Sequence, residues 1–328
     1  MSGLHRRPVS GCLDRIMAMT RLLHTDRQSA LLLERAHVRV DDERVVCDTV
    51  DETVERTFNV PHANLAFLLL GQGTSLTQPA ARQLADEGVV VGFTGTGGAP
   101  LLMASYAIYR PTDRLHRWIA VQPREDARLA AAREIQDRRV ASLENIPERV
   151  SRVFETEAIA DVLAKYRRNV GNAGDVDTLM GQEGRFCKDL YKHVAGEIFG
   201  IPRFKRDPGG RAGERQPDER ARLLNEFIDQ GNYLAYGLAA VGLWAHGIPA
   251  GLSALHGQSR AGGLVFDVAD TFKDAFVLPV AGEVARKGPK DGREQEFRAR
   301  LIDAFDEQRA MKHVFTNIDR MIEAGECA

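Results

Sequence analysis

The spacing of the apolar residues changes once along the chain, near residue 112, and this change constrains the fold more than any other feature. Before it, apolar residues alternate or bunch into short runs. "AHVRV", "DDE" and "RVVCDTV" give an alternating run, a polar turn and a second run, the pattern of a β-hairpin. "VERTFNVP" alternates and stops at Pro61, and "LAFLLLGQGTS" is a short apolar run ended by glycines. "QPAARQLADEG" reads as a short helix, with Pro79 near its first turn and Gly88 at its end, and the β-branched "VVVGF" follows. Beyond the change, apolar positions recur three and four apart in "DARLAAAREIQDRRVASLENI", "ETEAIADVLAKYRRNV", "EGRFCKDLYKHVAGEIFG", "ARLLNEFIDQGNYLAYGLAAVGLWAHG" and "EFRARLIDAFDEQRAMKHVFTNIDRMIEAG". The pattern predicts an α+β chain: a β-rich N-terminal domain over 26–110, then a larger all-α C-terminal domain over 111–328. Residues 1–25 are expected to form a poorly ordered N-terminal extension. The Pro-, Gly- and charge-rich "PRFKRDPGGRAGERQPDERAR" is expected to hold a mobile loop over 203–222.

Charge narrows the choice of partners. Lys and Arg number 44 against 46 Asp and Glu, a formal charge of −2, so no global basicity points to nucleic acid and any such partner must meet local patches. The 203–222 loop is one patch, with seven basic residues, Arg203, Lys205 and Arg206 among them, against four acidic ones. Its cations either reach phosphate or balance within a solvated connection. The cysteines Cys12, Cys47, Cys187 and Cys327 show no CxxC spacing and read as free thiols of a reducing cytoplasm. Asp14 and Arg15 break any apolar run near the N-terminus that could serve a signal peptide. The most apolar stretch, "YLAYGLAAVGLWAHGIPAGLSALHG", falls short of the ~20 uninterrupted residues of a membrane span and reads as a buried helix.

The chemistry is concentrated in "HGQSRAGGLVFDVADTFKD". If residues 264–276 form one helix, Asp267, Asp270 and Asp274 stand at i, i+3 and i+7 and share a face. Carboxylates sharing a face repel unless a cation or proton neutralises them. His256 could add an imidazole to the same ion, and hard oxygens with one imidazole suit Mn²⁺ or Mg²⁺ better than Zn²⁺. The bland reading is an exposed helix face whose acids pair with Lys273 and Arg260. A further acid, Glu183, falls on the stripe of Phe186, Leu190 and Val194, opposite the basic Arg185, Lys188 and Lys192. It either points into the core and needs a partner or frays into solvent at a helix start.

The segments "GQGTSLTQPAARQLADEGVVVGFTGTGGAPLL", "EGRF", "GNYLAYGLA" and "HGQSRAGGLVFDVADTFKDAFVLP", in this order, resemble the CRISPR-associated integrase family, Cas protein one, and most resemble its subtype I-F branch. The likeness covers roughly residues 20 to 320. It implies a homodimeric, metal-dependent DNA integrase that inserts foreign fragments into a CRISPR array by 3′-hydroxyl attack on phosphodiesters at the repeat ends. It also implies a β-rich domain that serves dimerisation and partner contacts. The implied partner is a small ferredoxin-like subunit, fused in this subtype to the interference helicase-nuclease. Carried over by position, Glu183, His256 and Asp270 match the family's Mg²⁺ or Mn²⁺ ligands, and Asp267 matches a further acidic residue of the catalytic site. Lys273 and Arg260 are candidate phosphate contacts or ordinary surface charges, and Asn232 and Tyr233 are candidate DNA contacts or core residues. The family commonly carries an aromatic after "LPxA", where this chain has Gly282. Two rival functions stand beside the integrase: a metal-dependent nuclease for branched or single-stranded DNA, and a non-catalytic DNA-binding scaffold.

Overall fold

A computed structural model describes residues 24–51, 54–94, 101–105, 110–145, 154, 156–208, 218–257 and 261–328. The expected N-terminal extension lies almost wholly outside them, as do residues 209–217 of the 203–222 loop and Arg260. Its N-terminal part contains β1 (Gln28–Leu33), β2 (Ala36–Asp41), β3 (Arg44–Asp51), β4 (Val54–Asn59), β5 (Leu65–Leu70), β6 (Ser75–Leu76), α1 (Gln78–Asp86), β7 (Val90–Phe93) and β8 (Leu101–Met103). These strands build two sheets, ordered β1-β5-β7-β8 and β4-β3-β2-β6. In the first, β1, β5 and β7 run parallel and β8 antiparallel. In the second, β2 and β3 form the hairpin read from "DDE", with Asp41 opposite Arg44. The two turn residues, Asp42 and Glu43, have φ of 45° and 62°, the left-handed pair that matches the twist of a hairpin.

Every residue of β5 is buried, and the layering explains why. Leu65, Leu68 and Leu70 pack with Val38, Val45 and Cys47 of the second sheet and with Ala80 and Leu84 of α1. Ala66, Phe67 and Leu69 face the helical core instead. A strand covered on both sides reads as a continuous apolar run rather than an alternating one.

The helical part contains α2 (Asp113–Val121), α3 (Glu125–Glu144), α4 (Glu157–Asn172), α5 (Val176–His193), α6 (Glu219–Ala245), α7 (Gly263–Asp270), α8 (Lys273–Ala285), α9 (Arg293–Glu307) and α10 (Ala310–Glu326). Helix α6 is the buried axis and lies against the first sheet at Gly237, where a Cβ would come within 2.0 Å of the Phe67 ring. Among the described residues no helix is long and apolar enough to cross a membrane, and Cys47, Cys187 and Cys327 are free thiols.

Three expectations need correction. Residues 264–276 are not one helix: the chain breaks between α7 and α8, where Thr271 Oγ1 donates to the Val268 carbonyl at 2.7 Å and accepts from Asn317 Nδ2 at 2.9 Å. Phe272 leaves helical geometry at φ −141° and buries its ring edge-on to Phe276 and Phe305. Residues 296–325 are likewise two helices, α9 and α10, separated at Arg309 with φ 51°. One left-handed residue turns the chain without interrupting the apolar period. Lastly, the expected loop over 203–222 ends sooner, and one of its cations is tied to the next helix. Arg206 is ion-paired with Asp229 and donates to Asn225 Oδ1 at 2.7 Å, and α6 already begins at Glu219, with Asp218 accepting from the Ala221 amide.

Candidate active site

Asp267 organises one half of the site. It projects from the middle of α7 into the loop that precedes this helix and is wholly buried. Its Oδ2 accepts from Ser253 Oγ at 2.8 Å and from the amides of Ala254 and Leu255 at 2.7 and 3.1 Å. Its Oδ1 accepts from the His256 amide at 3.2 Å and faces His256 Nδ1 at 2.6 Å. An ionised carboxylate only accepts, so Nδ1 carries the proton and the basic lone pair of a neutral His256 lies on Nε2. The loop is tied from behind as well, with Trp118 Nε1 and Gln122 Nε2 donating to the Leu252 carbonyl at 2.9 and 3.1 Å.

The other half is built around a residue that the sequence reading missed, Arg139 of α3. Its side chain is 1% exposed. Its Nη1 donates to Glu183 Oε1 at 2.8 Å, its Nε to Asp274 Oδ2 at 2.7 Å and its Nη2 to Cys187 Sγ at 2.9 Å. The same Nη1 stands 3.8 Å from Asp270 Oδ2. Asp274 also accepts from the Tyr191 hydroxyl at 2.9 Å. Lys273, the first residue of α8, is buried and ion-paired with Asp270, its Nζ 5.9 Å from the Tyr236 ring centroid.

These contacts revise the picture of three acids on one helical face. The break after α7 parts them: Asp267 turns to His256, Asp270 to Lys273 and Arg139, and Asp274 to Arg139 and Tyr191. Glu183 does not sit at a helix start, because α5 begins at Val176 behind the Asp175 cap. It faces inward on the predicted stripe, and its partner is a guanidinium. The residues around Arg139 carried a signal for it. Ile135 lies four residues before it and Leu143 four after, both buried, so position 139 falls on the apolar stripe of its helix.

The charges explain the titration of the site. Burial works against the Glu183 carboxylate, but the charge of Arg139, the hydrogen bonds from Cys187 and Arg139, and Lys273 outweigh it and hold its pKa below the usual carboxylate value. Burial also disfavours the His256 imidazolium. The Asp267 hydrogen bond and the charges of Asp270, Asp267 and Glu183 overcome that and raise its pKa. Burial raises the Cys187 thiol well above its ordinary range, which leaves it neutral and donating to Glu183 Oε1 at 3.0 Å.

Four carboxylates, Glu183, Asp267, Asp270 and Asp274, thus surround two cations, Arg139 and Lys273. Were His256 to give up its raised-pKa proton, as binding an ion through Nε2 demands, the four acids would exceed Arg139 and Lys273 by two charges, the charge of one divalent ion. The donor set, hard carboxylates with one oriented imidazole, fits Mg²⁺ or Mn²⁺. As the side chains stand, no three His, Cys, Asp or Glu residues among those described form a ready metal site; Lys273 is ion-paired with Asp270, and Arg139 holds Oε1 of Glu183.

The remaining candidates lie elsewhere. Asn232 is buried in α6, and the half-buried Tyr233 lines a cleft of about 350 Å³ with Leu32, Gln72 and Arg298. Arg203 has φ 61° on the segment leading toward α6, and Lys205 follows it two residues on. Gly282 packs against Phe199, whose ring would lie 2.0 Å from a Cβ there. Phe199 therefore fills the space that a larger side chain at position 282 would take.

Comparison with known proteins gives this cluster its context. The family model described as "CRISPR associated protein Cas1" matches residues 31–318. The chain belongs to the Cas1 family. A relative named CRISPR-associated endonuclease Cas1, from Pectobacterium atrosepticum, is 37% identical over 309 residues, which cover 88% of this chain and 90% of the relative. Another of the same name, from Pseudomonas aeruginosa, is 38% identical and covers 88% of this chain and 91% of its own. Among solved structures, a Cas1 protein from Thermotoga maritima superposes with a TM-score of 0.70 at 17% identity, covering 90% of this chain and 97% of that one. A casposase bound to integration product gives 0.64 at 14% identity, covering 84% and 82%. At these identities the structural likeness speaks for the Cas1 fold.

Proposed function

We propose that this chain is a metal-dependent DNA integrase of CRISPR adaptation, which joins the 3′-hydroxyl of a foreign DNA fragment to a phosphodiester at a repeat end. The observation that carries the reading is the oriented imidazole of His256 beside buried acids that outnumber their cations, in a chain of the Cas1 family. Further support comes from the solved Cas1–DNA complex and from the casposase bound to its integration product, which share the fold.

Glu183, His256 through Nε2, and Asp270 are the residues that would hold Mg²⁺ or Mn²⁺. When bound, the ion would neutralise phosphate charge and activate the attacking hydroxyl. Asp267 keeps the proton on Nδ1 and so presents Nε2 as a ligand. It acts through His256, since five hydrogen bonds already occupy its two oxygens. An ion held by Asp270 would take the place that Lys273 now occupies on that carboxylate, and the Lys273 ammonium at the start of α8 would then be available to a DNA phosphate. Arg260, Arg203, Lys205, Asn232 and Tyr233 are candidates for DNA contacts away from the reacting atoms.

The proposal includes a homodimer formed through the β-rich domain and a small ferredoxin-like subunit, fused to the interference helicase-nuclease. A Cas6-RT-Cas1–Cas2 complex that shares the fold supports a Cas partner. The reaction belongs in the cytoplasm. A second reading, hydrolysis of branched or single-stranded DNA by the same site, draws on the name endonuclease carried by the curated relatives.

One assay separates the readings. The chain, its partner subunit, an end-labelled fragment and a repeat duplex are incubated with Mn²⁺ or Mg²⁺. The integrase reading expects joined product that disappears with EDTA and in a folded Asp270→Asn variant. Free cut ends without joined product would favour the nuclease, and joining in EDTA would refute a metal-dependent site.

A further inference from the structure

Two adjacent arginines of α3 have opposite fates. Arg138 is partly exposed and pairs with Glu134 one turn back at 2.9 Å. Arg139 is buried beside Ile135 and Leu143. A guanidinium stays charged wherever it is placed, so burying it is costly unless each N–H finds an acceptor. Here the fork is shared among three elements: Glu183 and Cys187 on α5, Asp274 on α8, and the more distant Asp270 at the end of α7.

The clamp is rigid. The Arg139 Cζ lies 5.2 Å from the Phe186 ring centroid. Phe186 stacks on Tyr166 with centroids 4.0 Å apart, and the Tyr166 hydroxyl donates to Gln136 Oε1 at 2.7 Å, back on α3. Arg139 is therefore braced through the face of its guanidinium as well as through its N–H groups.

We propose that Arg139 is the positioning residue of the site: its fork fixes the Glu183 carboxylate in the cluster and thereby sets the affinity for the divalent ion. The proposal rests on the metal-centre reading above. A purely structural role, a cation that only satisfies buried acids, makes a different forecast. It would lower stability without changing how the folded protein binds metal.

The test is titration of the full-length chain with Mn²⁺ in the absence of DNA, with free ion read by electron paramagnetic resonance and folding by thermal unfolding. Arg139→Lys keeps the charge and loses the fork. Arg139→Met combined with Asp274→Asn removes one charge of each sign and remains informative if the lysine variant does not fold. The expected result is a dissociation constant raised about tenfold or more in either folded variant, the scale on which groups that orient metal ligands act. An unchanged dissociation constant in a folded variant would overturn the positioning role and leave the metal centre standing. Absence of Mn²⁺ binding in the unmodified protein would overturn the metal-centre reading itself, and this proposal with it.

Discussion

His246 shows how single residues tie this fold to pH. It caps the end of α6, is 5% exposed and meets the Phe315 ring edge-on with centroids 4.7 Å apart. Its Nε2 is buried without a hydrogen-bond partner among the described residues. Burial and then the charge of Arg114 push its pKa down to about 4, against the partial pull of Asp319 and Asp113. The unfolded chain takes up this proton near pH 6.5, so the stability from a neutral buried ring is complete above that value. It is lost as pH falls from 6.5 toward 4, to the extent of about 3 kcal/mol. Urea unfolding at pH 7.5 and 4.5 should show a smaller loss for a His246→Gln variant than for the parent; equal losses would refute the assignment. At this scale the sequence was legible where residue type and spacing both spoke. Glu183, His256, Asp267 and Asp270 could be named, whereas Arg139 was hidden in "DRRVAS", because a charge run on a helix ordinarily reads as a solvated face.

Elements proved legible in kind and less so in their breaks. Alternation and apolar period gave the hairpin, the covered strand β5 and the helices. They missed the breaks at Thr271 and Arg309, because each is made by local backbone geometry and leaves the apolar spacing intact. The first of those breaks turns Asp274 away from Asp267 and toward Arg139 and Tyr191. The contact of Gly282 with Phe199 is a second feature beyond the reach of pattern, since its partners are 83 residues apart. Replacing Phe199 by Ala should cost about 3–5 kcal/mol, the usual range for an emptied aromatic site. Adding Gly282→Phe to that variant should recover part of the loss, because the new ring occupies the same space from α8. Gly282→Phe alone should destabilise through overlap with Phe199. Urea midpoints of the three variants check this, and a Gly282→Phe variant as stable as the parent would contradict the packing described.

The whole molecule brings the chemistry together from distant parts of the chain. Sheet packing through Gly237 and Phe67 seats α6, and around it α3 delivers Arg139, α5 delivers Glu183, and the loop before α7 delivers His256. The acids are thereby held beside two cations and one oriented imidazole, with room in the charge balance for one divalent ion. Anomalous diffraction at the manganese edge from crystals grown with Mn²⁺ tests this most directly. The account predicts a peak touching His256 Nε2, Asp270 and Glu183, with Lys273 displaced from Asp270. A site loaded with Mn²⁺ elsewhere, or none while Lys273 stays on Asp270, would contradict it.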